Sequence, residues 1–348
     1  MKAAYFYKTN CIVVEETTRP AINENEMLLK VRAAAVCGTD LRIYKFGHFK
    51  IPEGQKRVLG HEVAGEIVEV GGKVRAFVPG MRVAFAPNVG CGVCPMCIKG
   101  FNQLCPDFEA FGINRDVGFQ EYMLIPAEAI ERGNVIQIPD GLSYEEAALT
   151  EPFSCTYNSY KALRTAPGDT VLVIGAGPIG ACHVMINKMA GARKVMAADI
   201  NAERLGKIMQ FGVDVAIDSS RESLKDRVLE ETDGFGADVI ITANSVPELQ
   251  NEALHMAAPH GRINFFGGMP KGKEMVLLNT NLIHYKELHV LATTGSSISD
   301  FYQSLSIVAS KKIELGKIAT ARFALDDIQK AFEYSMNGEG LKALIVNG

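Results

Sequence analysis

Two sets of side chains in this sequence have the types and spacing to hold metal. The denser set, Cys91, Cys94, Cys97 and Cys105, puts four of the chain's eight cysteines inside fifteen residues in the pattern C-x2-C-x2-C-x7-C. Four thiolates so close in sequence can converge on one tetrahedral zinc. That site would be closed: it shapes a lobe and leaves no position for substrate. Short cysteine spacings also serve iron–sulfur clusters, the chemical rival. The second set is scattered over Cys37-Gly38-Thr39-Asp40, Gly60-His61-Glu62-Val63-Ala64-Gly65 and Glu151-Pro152. Cysteine, histidine and carboxylate together suit Zn²⁺ with one position open to water or substrate. Taken singly, each is also an ordinary core or ion-pair residue.

A third motif reads as a nucleotide site. Val171-Leu172-Val173-Ile174 runs directly into Gly175-Ala176-Gly177-Pro178-Ile179-Gly180, followed by the apolar stretch Ala181 to Ala190. G-x-G-x-x-G alone is weak; between a strand and a helix it is a dinucleotide fingerprint. Gly175 makes the tight turn, Gly177 admits a pyrophosphate, Gly180 lets helix and strand pack, and the helix N-terminus faces the phosphates. Asp199, nineteen residues beyond Gly180, ends the next strand pattern. A carboxylate there accepts from a ribose 2′-hydroxyl and repels a 2′-phosphate, which favours NAD over NADP; Arg204 lies close enough to soften that preference.

The elements that must position these groups change texture along the chain. Met27–Ala33, Glu62–Gly71, Arg82–Phe85 and Phe119–Ile125 read as strands of a mostly antiparallel, loop-rich domain, with the cysteine lobe inserted at 88–110. Ser143-Tyr144-Glu145-Glu146 is a capping box. From about 154 short apolar strands alternate with helix-length segments: Thr170–Ile174, Lys194–Ala198, Val215–Ile217, Asp238–Thr242, Arg262–Phe266 and Leu288–Thr293. That alternation predicts an α/β domain, a parallel sheet covered on both faces. The last fifty residues mix helix and strand and can return to the first domain.

Bulk composition sets the frame. The chain's 348 residues suffice for two domains with separate cores. Hydrophobic residues at 47% and charged residues at 22% are a globular composition. A formal net charge of −4 gives no global field for nucleic acid or anionic membrane. There is no membrane-length apolar run, and the start, Met1-Lys2-Ala3-Ala4-Tyr5-Phe6, reads as a strand rather than a signal peptide. A cytoplasmic location follows, where cysteines serve as thiols and metal ligands rather than disulfides.

The order of Cys37-Gly38-Thr39-Asp40, Gly60-His61-Glu62-x2-Gly65, the four-cysteine lobe, Glu151-Pro152 and the glycine fingerprint resembles the zinc-dependent medium-chain dehydrogenases over nearly the whole chain. Glu62 and Glu151-Pro152 resemble the polyol (sorbitol-type) and threonine dehydrogenase branches more than the simple alcohol dehydrogenases. The resemblance implies a GroES-like catalytic domain over 1–153 and 296–348, a Rossmann doubly wound NAD-binding domain over 154–295, and an active site in the cleft between them. It implies two zincs per chain. Cys37, His61 and Glu62 hold the catalytic one, with Glu151 as an exchangeable fourth ligand; Cys91, Cys94, Cys97 and Cys105 hold the structural one. Zinc would lower the pKa of a substrate hydroxyl, and the carbinol hydride would pass to the nicotinamide. Thr39 would pass the proton outward, and Asp40 would orient His61. Many relatives carry a relay histidine three residues after Thr39; here Arg42 stands there, and arginine is no base. Asn244, Phe266, Gly267, Thr293 and Thr294, which follow sheet strands, would reach the nicotinamide half of NAD.

The expected substrate is a polyol or sugar-derived secondary alcohol. Threonine dehydrogenases carry a histidine three residues before the first lobe cysteine, where this chain has Asn88, which argues against threonine. Tyr44, Phe46, Phe49, Phe111 and Arg115 are candidate pocket residues, Arg115 as a reader of carboxylate or phosphate. Two other classes stand beside this one: a non-catalytic nucleotide-binding regulator or quinone-reductase-like relative, and a zinc-ribbon nucleic-acid binder. The second is disfavoured because Lys99 alone is basic between the lobe cysteines. Dimeric and tetrameric relatives suggest a homo-oligomer, with Leu288–Thr293 as a pairing edge.

Overall fold

A computed structural model describes residues 1–348. The chain forms two compact units, Met1–Ser154 with Gly295–Gly348, and Cys155–Thr294. No helix is long and apolar enough to cross a membrane.

The first unit is built on a seven-stranded sheet. Val135–Gln137, Arg82–Phe85, Glu62–Val70, Met27–Ala35, Lys342–Val346 and Ala319–Phe323 lie in that order, and Tyr122–Ile125 also pairs with Met27–Ala35. All pairs are antiparallel except the last, Ala319–Phe323 with Lys342–Val346. A three-stranded sheet of Cys11–Glu16, Lys2–Lys8 and Arg57–Val58 accompanies it. Met27–Ala35 is the central strand, and its seven apolar residues are buried while Lys30 and Arg32 are only half-buried. Phe85, Phe119, Met123, Ile67 and Phe332 fill the core around it. The helix Gly38–Phe46 follows directly; the strand-dominated sequence pattern of this region gave no sign of it. Its start is set by Asp40, whose Oδ2 accepts the Cys37 N–H at 2.8 Å, the reach-back that a helix's third residue makes to its cap.

The second unit is a six-stranded, all-parallel sheet in the order Val215–Asp218, Lys194–Asp199, Thr170–Ile174, Ala237–Thr242, Ala257–Phe265, His289–Ala292. Numbered along the chain this is 3-2-1-4-5-6, the doubly wound dinucleotide-binding order. Its central strands are apolar on both faces because helices cover both; Thr170–Ile174 is wholly buried. The chain enters this unit within the helix Tyr144–Leu163. Its start is the expected capping box: Ser143 Oγ accepts the Glu146 N–H at 3.1 Å and Glu146 Oε2 accepts the Ser143 N–H at 3.0 Å.

Candidate active site

Strand register brings the scattered set together. Ala35, at the end of Met27–Ala35, pairs with Glu62, at the start of Glu62–Val70. Cys37, two residues past one strand end, therefore meets His61 and Glu62 at the start of the other. The Cys37 sulfur, a His61 ring nitrogen and a Glu62 carboxylate oxygen lie within 4.8 Å of one another. Thr39, half-buried, sits in the first turn of the helix that begins after Cys37. Asp40 is fully buried beneath them. Its Oδ1 accepts the Gly60 N–H at 3.2 Å and lies 3.6 Å from His61 Nδ1. Asp40 thus ties the first turn of the helix to the residue before His61. Glu151, in the Tyr144–Leu163 helix next to Pro152, is also buried and stands outside the converging trio.

The electrostatics of this cluster call for a cation. Burial opposes protonation of His61, yet the Cys37 sulfur and the Asp40 carboxylate raise its pKa well above the usual 6.5. Glu151 is pushed up to about 7, first by burial, with Glu62 and Asp40 adding to the shift and His61 and Lys342 opposing it. Glu62 is wholly buried, and its Oε2 has no hydrogen-bond partner. A buried carboxylate oxygen without a partner costs free energy unless a metal or proton meets it. Thiolate, imidazole and carboxylate at this spacing fit Zn²⁺ with an open position.

The lobe presents its four sulfurs together, within 4.8 Å of one another. Backbone N–H groups point at them: Cys94 N–H to Cys91 Sγ at 3.3 Å, Cys97 N–H to Cys94 Sγ at 3.4 Å and Cys91 N–H to Cys105 Sγ at 3.3 Å. Such donors favour thiolate over thiol. At Cys91 the backbone groups of Val93 and Cys94 bring the pKa down to about 7. All four ligand positions come from the chain, so the donor set fits a closed, structural metal.

In the second unit Gly175 adopts φ 120° and its N–H bonds Ala198 O at 2.7 Å. A Cβ on Gly180 would collide with Gly175 O, so only glycine lets the Pro178–Met189 helix approach the turn. Asp199 braces the same turn: Oδ2 accepts the Ala176 N–H at 2.7 Å and Oδ1 the Asn201 N–H at 3.0 Å. Arg204 is half-buried in the following helix. Asn244 Nδ2 donates to Ile174 O at 2.9 Å, and Gly267 N–H to Thr242 O at 3.0 Å. Thr293 Oγ1 accepts from Asn264 Nδ2 at 2.9 Å; Thr294 is exposed. These residues line the carboxyl edge of the parallel sheet, the edge at which such sheets bind dinucleotides.

Several candidate pocket residues have other employment. Tyr44 and Phe111 are core residues, edge-on to Phe332 at 5.3 Å and to Phe85 at 4.8 Å. Phe46 and Phe49 are exposed. Arg115 is doubly paired, Nε to Glu109 at 2.5 Å and a terminal nitrogen to Glu128 at 2.6 Å. One residue of the site was not singled out from the sequence: Lys342, buried, with its Nζ 2.5 Å from Glu62 Oε1. A single cation at the head of the apolar run Ala343-Leu344-Ile345-Val346 was the available signal.

A GroES-like sheet carrying a Cys–His–Glu cluster and a doubly wound dinucleotide unit, in one chain, define a metal-dependent dehydrogenase. Comparison with known proteins gives the same class. Residues 23–140 match the alcohol dehydrogenase GroES-like domain and residues 178–310 the zinc-binding dehydrogenase domain. An L-threonine 3-dehydrogenase of Burkholderia thailandensis is 33% identical over 96% of this chain and 95% of its own length. A solved short chain alcohol dehydrogenase from Escherichia coli, complexed with cofactor NADH, superposes with a TM-score of 0.90 at 30% identity, covering 100% of this chain and 99% of that one. The 2R,3R-butanediol dehydrogenase of Bacillus subtilis superposes with a TM-score of 0.90 at 27% identity, with the same coverage. The chain belongs to the zinc-dependent medium-chain dehydrogenase family: it is an oxidoreductase that uses zinc and a nicotinamide dinucleotide on a small-molecule substrate.

Proposed function

We propose that the enzyme oxidises a secondary alcohol of a polyol or sugar-derived substrate to a ketone, with NAD as hydride acceptor. The convergence of Cys37, His61 and Glu62, with Glu62 Oε2 left unpartnered, carries this reading. Those three hold the catalytic zinc and Glu151 is its exchangeable fourth ligand; Cys91, Cys94, Cys97 and Cys105 hold a second, structural zinc. Bound zinc would lower the pKa of the substrate hydroxyl. Thr39, beside Cys37, receives the hydroxyl proton and hands it outward. Arg42 is exposed and is no base, so either water and the cofactor's ribose hydroxyls complete the path or Glu151 shares it. Asp40 holds His61 in place. Gly175, Gly177, Pro178, Ile179 and Gly180 cradle the pyrophosphate. Asp199 selects the ribose diol of NAD, and Asn244, Phe266, Gly267, Thr293 and Thr294 flank the nicotinamide.

The engagement of Arg115 by two carboxylates supports an uncharged polyol over a sugar acid or phosphate. Threonine is the second reading, favoured by the 33% identity to an L-threonine 3-dehydrogenase. Asn88 stands against it, as does the pairing of Arg115. The half-buried edge strand His289–Ala292, bonded on one side only, supports a homodimer or homotetramer. The thiol-built lobe supports a cytoplasmic location. The test is NADH formation across neutral polyols, sugar acids, sugar phosphates and threonine, before and after chelation. A polyol should give the highest kcat/KM, and chelation should abolish turnover. Faster turnover of threonine than of any polyol, or activity indifferent to metal removal, would overturn the proposal.

A further inference from the structure

Glu62 shares its carboxylate between two neighbours of opposite kind. Oε1 meets the Lys342 ammonium at 2.5 Å, with the two side chains 0% and 4% exposed, while Oε2 has no partner among protein groups. The lysine comes from the other end of the chain, and the sheet delivers it. Ala35 pairs with Glu62 on one side and Leu344 on the other. Lys342, two residues before Leu344, therefore projects on the same face as Glu62. The two residues stand two strands apart, on the order of 10 Å between backbones, a span that a lysine's four-carbon stem and a glutamate can close together.

The backbone at Lys342 is built for this reach. Pairing shifts register between Ala319 and Ala321, so Thr320 is the extra residue of a bulge. Thr320 Oγ1 accepts the Leu341 N–H at 2.8 Å and the Lys342 N–H at 3.2 Å, and is itself bonded by Tyr334 Oη at 3.0 Å. Gly340 makes room for this knot, since a Cβ there would run into the Tyr334 hydroxyl and Thr320 Oγ1.

We infer that Lys342 is a positioning residue for the Cys37–His61–Glu62 metal centre: it holds one oxygen of Glu62, so that the carboxylate offers the metal only the other. The inference rests on reading that trio as the catalytic zinc's ligands. A carboxylate held this way is a one-oxygen ligand, which preserves an open position on the metal; a carboxylate released from Lys342 can close that position by binding through both oxygens. In the metal-free protein Lys342 is also the charge that neutralises buried Glu62, and a buried carboxylate stripped of its partner is strongly destabilising.

The test is zinc titration of metal-free protein followed by thermal unfolding, on wild type and on Lys342→Met, Lys342→Arg and the double variant Glu62→Gln/Lys342→Met. Metal-free K342M should unfold roughly 5 °C or more below metal-free wild type. Zinc should raise its melting temperature more than it raises that of wild type, because only zinc then answers the charge. K342R should restore the wild-type response, and the double variant should recover stability without zinc. Loading with cobalt(II) should show K342M with weaker visible absorption than wild type, as expected when a second carboxylate oxygen raises the coordination number. An equal zinc response in wild type and K342M, or no recovery in the double variant, would overturn the inference. If wild type itself takes up metal only at the four-cysteine lobe, it is the proposed catalytic centre that fails instead.

Discussion

Asp40 Oδ1 stands 3.6 Å from His61 Nδ1, and the same carboxylate accepts the backbone N–H groups of Cys37 and Gly60. One buried side chain therefore fixes two proposed metal ligands, one through its backbone and one through its ring. Asp40→Asn keeps the shape, removes the charge and turns an amide donor toward groups that themselves donate. It should weaken metal retention and turnover by roughly 10- to 100-fold while the fold survives. Chelator competition together with kcat measures it; wild-type metal retention in the variant would show that Asp40 only caps its helix.

The two cysteine-bearing sites should fail in different ways. Cys94→Ser removes one of the four thiols proposed to close a structural zinc site, a metal that would contribute directly to folding. It should lower the melting temperature by roughly 5–10 °C and metal content by one zinc per chain. His61→Ala should also lose one zinc, keep most of its thermal stability, and lose turnover by at least about 100-fold. The reverse pattern, with C94S active-site dead but stable and H61A unfolded, would exchange the two assignments.

Asp199 braces the glycine turn and is the proposed selector of NAD over NADP. Its Oδ2 holds the Ala176 N–H of the glycine turn and its Oδ1 the Asn201 N–H. Asp199→Ser keeps a hydrogen-bonding oxygen near the turn but removes the charge that repels a 2′-phosphate. The ratio of kcat/KM for NADP to that for NAD should rise about tenfold or more, equivalent to ~1.4 kcal/mol or more of discrimination, with KM for NAD increased. An unchanged ratio would move cofactor selection to Arg204 or its surroundings.

The sequence exposed what local pattern controls. Strand, glycine turn, helix and acid lie consecutively from Val171 to Asp199, so the nucleotide unit could be read residue by residue. The cysteine lobe was legible for the same reason. Long-range register was not. Nothing near Glu62 in the chain announces Lys342, which arrives through two strand pairings, a bulge at Thr320 and a glycine at 340. The pairing of Arg115 with Glu109 and Glu128 was not legible, because it depends on how the 109–128 segment folds back, which periodicity does not encode. The helix Gly38–Phe46 escaped because its capping runs through a cysteine and an aspartate already read as chemistry.

His183 is a titratable group that the proposed reaction does not use, and it should set part of the acid sensitivity of the second unit. It lies fully buried in the Pro178–Met189 helix, edge-on to Phe266 with centroids 4.8 Å apart, and neither ring nitrogen has a hydrogen-bond partner. Burial alone pushes its pKa from 6.5 down to about 3. The folded protein therefore keeps the ring neutral where the unfolded chain protonates it. Between about pH 6.5 and 3 the unfolded state binds more protons, so stability falls as pH drops through that window, by up to ~1.4 kcal/mol per unit, and is fully present above it. Replacing the ring with an apolar side chain, His183→Leu, removes this linkage. Denaturant unfolding at pH 7.5 and pH 5 should show wild type losing ~2 kcal/mol more than the variant over that interval; taking the difference between the two proteins cancels acid release of zinc, which both share. Parallel losses in the two proteins would mean that His183 gains a proton partner in the folded state, and that a water or other ligand occupies the space beside its nitrogens.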